Sequence, residues 1–271
     1  MIYYWKGGFH EDRVGLAVAG EAFRFGCGFF STLLYDGGVL HRPGAHVARL
    51  AASLTAHAVP FVRLDAAGLE AVAAQVLSRN GLAGSTARVN VYYPIEGAGL
   101  GAPASPGALA AMGATGATAA PVVPAASIVP AAPLIAAYAY TPPPADKVFS
   151  LAVSRGRYAS PAHEHKSMSR MHLWQEQRWA EEAGFDQALL LAPDGRILET
   201  TTSAFLVSDG NRYYTPRPQH RLPSTAVAAL AETHPVVERD IMLSDLPSYS
   251  QAVIANALIG LRAVGRVEKI G

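Results

Sequence analysis

The stretch HEHKSMSRM, residues 163–171, concentrates side chains that can do chemistry. Two imidazoles, a carboxylate, an amine and a guanidinium lie close together in it. Three interpretations fit these residue types: a metal site, a solvated polar turn before a helix, or the attachment point of a covalent cofactor at Lys166. Residues elsewhere in the chain decide between them.

The metal interpretation has weak support. His163, Glu164 and His165 offer ligand atoms, but the two histidines lack the i, i+4 helical spacing of a metalloprotease motif. The single cysteine, Cys27, excludes a disulfide within the chain and a site made of several thiolates. We therefore expect no metal, and on residue type alone a solvated Lys166 is the commoner case.

Composition bounds the class of protein. The chain has 271 residues, of which 50% are apolar and 16% charged, and its net charge is +1. This balance is typical of a globular protein with one large or two modest domains. It gives no electrostatic reason to expect a nucleic-acid or membrane partner, and no unbroken apolar stretch has the length of a transmembrane helix. A lone cysteine fits a cytoplasmic location.

Residues 1–96 are predicted to form a smaller α+β domain. A hairpin is expected to turn at Asp36-Gly37-Gly38, and Asp65 is a suitable N-cap for a helix whose apolar residues recur at helical spacing. The predicted strands are Val14–Gly20, the two arms within 30–42, and 86–93; the predicted helices are 44–58 and 65–81.

Residues 97–145 are nearly all Ala, Gly, Pro, Ser, Thr and Val, which predicts a linker or an insertion with a strand in its later part.

Residues 146–271 are predicted to form the larger C-terminal domain. Its predicted strands are 148–154, three within 185–216, 252–258 and one more after it; its predicted helices are 172–184 and 224–234. Because hairpins and helices are mixed, we expect an α+β fold rather than a doubly wound parallel sheet.

Several blocks occur in the order of one known family. They are FRFGCGFFSTLLYDG, HVARL, FDQALLLAPDG, GRILETTTSAFLV, YYTP, LPST, VVERDIMLSDL and VIANALIGLRAV. Together they resemble the class IV pyridoxal-phosphate enzymes, which include branched-chain aminotransferase, D-amino acid aminotransferase and aminodeoxychorismate lyase. The resemblance covers about residues 20–93 and 148–267. It implies the two-domain fold of the D-amino acid aminotransferase-like enzymes, a small-molecule amino substrate and a homodimer.

The resemblance gives the opening stretch a role. Pyridoxal 5'-phosphate needs an amine for covalent attachment, and Lys166 matches the family's lysine. The protonated ring nitrogen needs an acidic partner, and Glu199 matches that position. Without the resemblance, Lys166 reads as a surface lysine and Glu199 as a carboxylate at a strand end.

A phosphate site is implied in the same way. Arg49 matches the family's phosphate-binding arginine, whose guanidinium can engage two oxygens. Ser224 and Thr225 stand where the family has a glycine-isoleucine-threonine turn before a helix. Asn256 lies where relatives place threonine or asparagine near the same phosphate. Because the turn differs from the family's, a plain helix cap is an equal interpretation of Ser224.

Three positions resemble the lyase more than the aminotransferases. Branched-chain aminotransferases usually have tyrosine five residues after the lysine, where this chain has Met171 preceded by Arg170. GCGFFST resembles a lyase block in which Thr32 matches a threonine used in proton transfer, although Thr32 also suits a strand. Asn256 to Leu258 resembles the lyase as well. These similarities imply conversion of 4-amino-4-deoxychorismate to 4-aminobenzoate and pyruvate, in folate biosynthesis.

Two alternatives stay open. One is a class IV aminotransferase acting on branched-chain or D-amino acids with a keto-acid acceptor. The other is a catalytically inactive relative that serves as a binding protein, which the Ala/Pro/Gly-rich insertion and the altered phosphate turn favour. Four arginines are possible partners for substrate carboxylates, or structural arginines: Arg88, Arg155, Arg157 and Arg170.

Overall fold

Two β-sheets organise the protein, and the mixture of strands and helices confirms the predicted α+β class. The computed structural model describes residues 1–18, 20–97, 129–219 and 221–270. The first sheet is antiparallel, in the order β2-β1-β6-β5-β3-β4. Its strands are β1 (Ile2–Trp5), β2 (Gly8–Glu11), β3 (Gly28–Asp36), β4 (Val39–Leu40), β5 (Ala87–Pro94) and β6 (Leu134–Ala139).

The predicted hairpin and both predicted helices of this half are confirmed. Strands β3 and β4 turn at Gly37 and Gly38, which both have positive φ. A short helix, α1 (Glu21–Phe25), precedes β3, and helices α2 (Pro43–Ala56) and α3 (Ala66–Arg79) contribute to the core of the first sheet. The Asp65 carboxylate caps α3 by accepting a hydrogen bond from the Gly68 backbone N–H at 2.7 Å.

The second sheet is mixed, in the order β12-β11-β10-β13-β14-β7-β8-β9. Its strands are β7 (Phe149–Val153), β8 (Gln187–Leu191), β9 (Ile197–Thr200), β10 (Ala204–Ser208), β11 (Tyr213–Thr215), β12 (Val236–Glu238), β13 (Gln251–Asn256) and β14 (Gly260–Lys269). Two predicted helices are confirmed as α4 (Met171–Glu182) and α5 (Thr225–Ala231). Short 3-10 helices form at Pro161–Glu164 and Leu243–Ser248. Among the described residues, no helix has the length and apolar character needed to cross a membrane.

The predicted strand at Val14–Gly20 is wrong. Residues 14–18 are irregular, and Val18 is 74% exposed. The edge of the first sheet is taken instead by β1 and β2, a hairpin that the prediction missed. Its turn residues Lys6 and Gly7 both have positive φ, which is the conformation of a two-residue hairpin loop.

The segment 185–216 contains four strands rather than the predicted three. The run ILETTTSAFLV has the composition of one strand, but β9 ends at Thr200 and β10 begins at Ala204. The Thr200 hydroxyl accepts a hydrogen bond from the Ser203 N–H and donates one to the Ser203 carbonyl, each at 2.9 Å. Because threonine hydroxyls compete with sheet pairing in this way, a turn interrupts the run.

The proposed division at 97–145 remains a prediction. Residues 98–128 of that segment lie outside the described residues. Its later part forms β6, which lies between β1 and β5 and extends the first sheet.

Replacing Gly28 with alanine is expected to destabilise the protein. Gly28 has a φ of +150°, and an added Cβ would lie 2.6 Å from the Tyr93 carbonyl oxygen and 2.6 Å from the Met168 sulfur. We expect Gly28→Ala to lower the free energy of unfolding by about 2 kcal/mol or more in chemical denaturation. Gly84→Ala is the control, because no atom lies within 4 Å of its added Cβ. Equal stability of the two variants would contradict the steric argument.

Candidate active site

The loop that carries Lys166 is attached to the first sheet by its backbone. It follows the 3-10 helix Pro161–Glu164 and precedes α4. The Phe30 N–H donates to the Lys166 carbonyl at 2.8 Å, and the Met168 N–H donates to the Gly28 carbonyl at 2.9 Å. These two hydrogen bonds continue the pairing of β3, so they place a residue of the second half beside the first sheet.

The Lys166 amine is buried among positive charges. Its Nζ lies 4.8 Å from the centroid of the Phe30 ring. Burial, together with repulsion from Arg170 and Arg49, lowers the Lys166 pKa to about 7, while Glu199 opposes the shift. An amine in this environment loses its proton near neutral pH and becomes a nucleophile.

Glu199 supplies an acid at the end of β9. The residue is 8% exposed, and burial raises its pKa to about 7, while Arg170 and Lys166 act in the opposite direction. The backbone of Leu222 also hydrogen-bonds to this carboxylate.

Arg49 extends from α2 toward the loop before α5. Its Nη1 donates to the Pro223 carbonyl at 3.1 Å, and its Nη2 donates to the Ser31 hydroxyl at 2.8 Å. Burial lowers its pKa to about 10. Its Nε is buried and has no hydrogen-bond partner among the described residues. Arg49 therefore retains an unused donor.

The remaining predicted phosphate residues are partly engaged with the protein itself. The Ser224 hydroxyl accepts from the Val227 N–H at 3.3 Å and caps α5. The Asn256 amide nitrogen donates to the Ser203 hydroxyl at 3.0 Å, and its oxygen accepts from the Leu258 N–H at 2.8 Å. The Thr225 hydroxyl lies 3.4 Å from the ring of His46.

One cavity of about 500 Å³ brings the predicted site residues together. All seven line it: Thr32, Arg49, Lys166, Glu199, Ser224, Thr225 and Asn256. Glu199 is the one carboxylate among the described residues that line this cavity. The sequence interpretation missed other polar lining residues: Asn90, Tyr92, Tyr138, Thr200, Thr201, Thr202 and Ser203. The alternation of Arg88, Asn90 and Tyr92 along β5 was the available signal, because alternate residues of a strand share a face.

The four candidate arginines separate into two pairs. Arg88 and Arg170 line the cavity. Arg155 instead lies 4.7 Å from the Trp179 ring centroid, and Arg157 donates to the Ser154 carbonyl at 3.2 Å. Among the described residues, only Arg88 and Arg170 of these four can meet a molecule in the cavity.

The histidines beside Lys166 pack on other side chains. The His163 ring stacks on His172 with centroids 5.0 Å apart, and His165 Nδ1 lies 3.1 Å from the Ser53 hydroxyl. The described residues include no group of three or more His, Cys, Asp and Glu side chains arranged to hold a metal ion.

The cavity matches the chemical requirements of pyridoxal 5'-phosphate. Lys166 offers a deprotonatable amine, and Glu199 offers a carboxyl group for a protonated ring nitrogen. The unpartnered Nε of Arg49 is a buried donor suited to a phosphate oxygen. The donor set therefore fits the group that the sequence implies.

Comparison with solved structures gives the fold of known relatives. A branched-chain aminotransferase of Thermoproteus uzoniensis with norvaline matches at 16% identity and a TM-score of 0.78, over 99% of this chain and 87% of that one. A branched-chain amino acid aminotransferase of Escherichia coli matches at 17% identity and a TM-score of 0.77, over 98% and 86%. A putative 4-amino-4-deoxychorismate lyase of Legionella pneumophila matches at 18% identity and a TM-score of 0.74, over 94% and 88%.

Sequence comparison identifies the family directly. Curated protein sequences give no match. The family model described as amino-transferase class IV matches residues 28–267, which is most of the chain. The protein therefore belongs to the class IV aminotransferase family, whose cofactor is pyridoxal 5'-phosphate.

Proposed function

We propose that this protein converts 4-amino-4-deoxychorismate to 4-aminobenzoate and pyruvate, and so acts in folate biosynthesis. The observation that carries the proposal is the wall of the cavity formed by β5. The three β5 side chains that line it are Arg88, Asn90 and Tyr92, and all are polar. Tyr138 of β6 lies beside them, with its ring centroid 5.0 Å from the Arg88 guanidinium carbon.

This wall suits an anionic, polar substrate. Aminodeoxychorismate carries two carboxylates, and both Arg88 and Arg170 face the cavity with guanidinium groups that bind carboxylates well. The Asn90 amide donates to the Tyr92 hydroxyl at 2.6 Å, which keeps this wall polar. A branched-chain aminotransferase would need an apolar surface for an aliphatic side chain.

The residues after Lys166 also favour the lyase. Met171, which replaces the tyrosine of branched-chain aminotransferases, is 65% exposed and does not line the cavity. The preceding Arg170 does line it. The group presented to a substrate on this side is thus a cation rather than a phenol.

The side chains divide the reaction between them. Pyridoxal 5'-phosphate, when bound, withdraws electrons from the carbon that carries the substrate amino group. The Lys166 amine removes the proton from that carbon. The bond between the neighbouring ring carbon and the enolpyruvyl oxygen then breaks, and the ring becomes aromatic. A proton returned to the departing enolpyruvyl group gives pyruvate. Thr32 is suited to donate that proton, because it shares a face of β3 with Phe30, which contacts Lys166. The step needs no oxidant.

We also propose a cytoplasmic homodimer as the working form. The family resemblance supports the dimer, as do exposed apolar side chains at α1 and the start of α4. Phe23 is 60% exposed, Phe25 48%, Met171 65% and Trp174 57%. Large exposed apolar groups of this kind are typical of protein interfaces. The single cysteine fits a reducing compartment.

Release of 4-aminobenzoate in the absence of a keto acid tests the reaction. The protein, pyridoxal 5'-phosphate and aminodeoxychorismate are mixed, and the product is quantified by chromatography. We expect release by the wild type and a loss of at least about 1,000-fold in Lys166→Ala, because the general base and attachment point are both removed. Lys147→Ala is the matched control, because Lys147 pairs with Asp186 outside the cavity and should behave as wild type.

Other outcomes have distinct meanings. A yellow, cofactor-loaded protein that releases no 4-aminobenzoate but converts an amino donor and a keto acid would support the aminotransferase alternative instead. A colourless protein with neither activity would support the inactive binding protein.

Covalent uptake of pyridoxal 5'-phosphate by cofactor-free protein is expected to increase as pH rises through about 7. The neutral Lys166 amine is the reacting form, and its lowered pKa of about 7 makes that form abundant above neutral pH. Removing a positive neighbour in Arg170→Met should move the midpoint to higher pH. Arg178→Met, which changes an exposed arginine paired with Glu182, should leave it unmoved. Growth of the visible absorption band measures the rate, and a wild-type midpoint near 10 would refute the buried-cation explanation.

Replacing Arg88 should weaken substrate binding without affecting the cofactor. We expect Arg88→Gln to raise KM for aminodeoxychorismate about tenfold through loss of a charged contact. Its affinity for pyridoxal 5'-phosphate should equal that of the wild type. Arg155→Gln serves as the control because Arg155 packs on Trp179 outside the cavity. An unchanged KM in Arg88→Gln would remove Arg88 from the substrate site.

A further inference from the structure

A buried histidine connects two residues that line the cavity from different halves of the protein. His46 lies on α2 and is 2% exposed. Its Nδ1 is 2.8 Å from the Ser31 hydroxyl, which also contacts Arg49 Nη2 at 2.8 Å. Its Nε2 is 3.4 Å from the Thr225 hydroxyl. Arg49, Ser31, His46 and Thr225 thus form a continuous hydrogen-bonded chain.

The chemistry of Arg49 fixes the direction of this chain. A guanidinium can only donate, so the Ser31 oxygen accepts from Arg49. The one hydroxyl hydrogen of Ser31 is then available for His46 Nδ1, which accepts it. A neutral imidazole with an accepting Nδ1 carries its hydrogen on Nε2, and this hydrogen points to the Thr225 oxygen.

The opposite direction would leave a buried hydrogen unused. If His46 Nδ1 donated to Ser31, the Ser31 hydroxyl hydrogen would need another acceptor, and no other is found among the described residues. Ser31 is 0% exposed, so water cannot supply that acceptor. In the first direction the unused hydrogen belongs to Thr225, which faces the cavity.

His46 is neutral in the neutral pH range. Burial, together with the positive charges of Arg49 and Lys166, lowers its pKa to about 3. The donor and acceptor roles in this hydrogen-bonded chain therefore do not change with pH in the neutral range.

We propose that His46 is a positioning residue. It orients the Thr225 hydroxyl so that this hydroxyl donates a hydrogen bond into the cavity. There, Thr225 and Arg49 together bind the phosphate monoester of the cofactor. The Thr225 oxygen receives its hydrogen bond from His46, so its own hydrogen is free for an anionic oxygen. Ser31 and His46 hold Arg49 and Thr225 in one network, although the two lie on α2 and α5. This role of His46 belongs to cofactor binding alone, so it is the same in a lyase and in an aminotransferase.

Comparison of two ligands separates positioning from general structural damage. The dissociation constants of pyridoxal 5'-phosphate and of pyridoxal, which lacks the phosphate, are measured by absorbance titration. Both ligands carry the aldehyde that reacts with a lysine, so the ratio of their constants isolates the phosphate contribution. We expect His46→Leu to weaken binding of pyridoxal 5'-phosphate about tenfold and to leave that of pyridoxal unchanged.

Two further variants keep the test decisive. Leu50→Ala removes core packing from the same helix, because Leu50 is 3% exposed. It should leave the ratio of the two dissociation constants unchanged. If His46→Leu does not fold, Ser31→Ala interrupts the same chain by removing one oxygen and should change the ratio in the same direction. Equal weakening of pyridoxal 5'-phosphate binding and pyridoxal binding in His46→Leu or Ser31→Ala would overturn the proposal. A nitrogen NMR spectrum of the wild type that places the His46 ring hydrogen on Nδ1 would also overturn it.

Discussion

The site depends on the backbone pairing between the Lys166 loop and strand β3. Two hydrogen bonds, Phe30 to Lys166 and Met168 to Gly28, attach the second half of the protein to the first sheet. They also fix the Lys166 side chain over the Phe30 ring. Gly28 permits this close approach, because an added Cβ would lie 2.6 Å from the Met168 sulfur of the loop and 2.6 Å from the Tyr93 carbonyl oxygen of β5. Through this contact, Lys166 and the β3 residues Phe30 and Thr32 line one cavity.

Buried positive charge is the second determinant. Arg49, Arg170 and Lys166 face the same cavity, and Glu199 alone opposes them among its described lining residues. Uncompensated buried cations are costly, so the Lys166 pKa falls toward neutrality. A bound anion relieves the same cost, and any ligand that binds only the folded state stabilises it. The arrangement that lowers the Lys166 pKa therefore also favours an anionic ligand such as a phosphorylated cofactor.

The sequence predicted most of the helices and strands, but not the contacts that connect them. Helical spacing and the Asp65 cap located α3, and seven residues drawn from a resemblance line one cavity. The strand at Val14–Gly20 was wrong because apolar composition does not reveal which segment takes a sheet edge. His46 was missed because its importance comes from Ser31 and Thr225, and a contact over 179 positions leaves no local pattern.

The two sheets contribute different parts of the cavity. Lys166 and Glu199, which are suited to hold the cofactor, belong to the second half, whereas the polar wall of Arg88, Asn90 and Tyr92 belongs to β5 of the first sheet. Substitutions on β5 are therefore expected to change this wall while leaving Lys166 and Glu199 in place. One fold can host several activities, so the chemistry depends on the side chains of the cavity rather than on the fold. The polar character of this wall is set by side chains that alternate along a single strand.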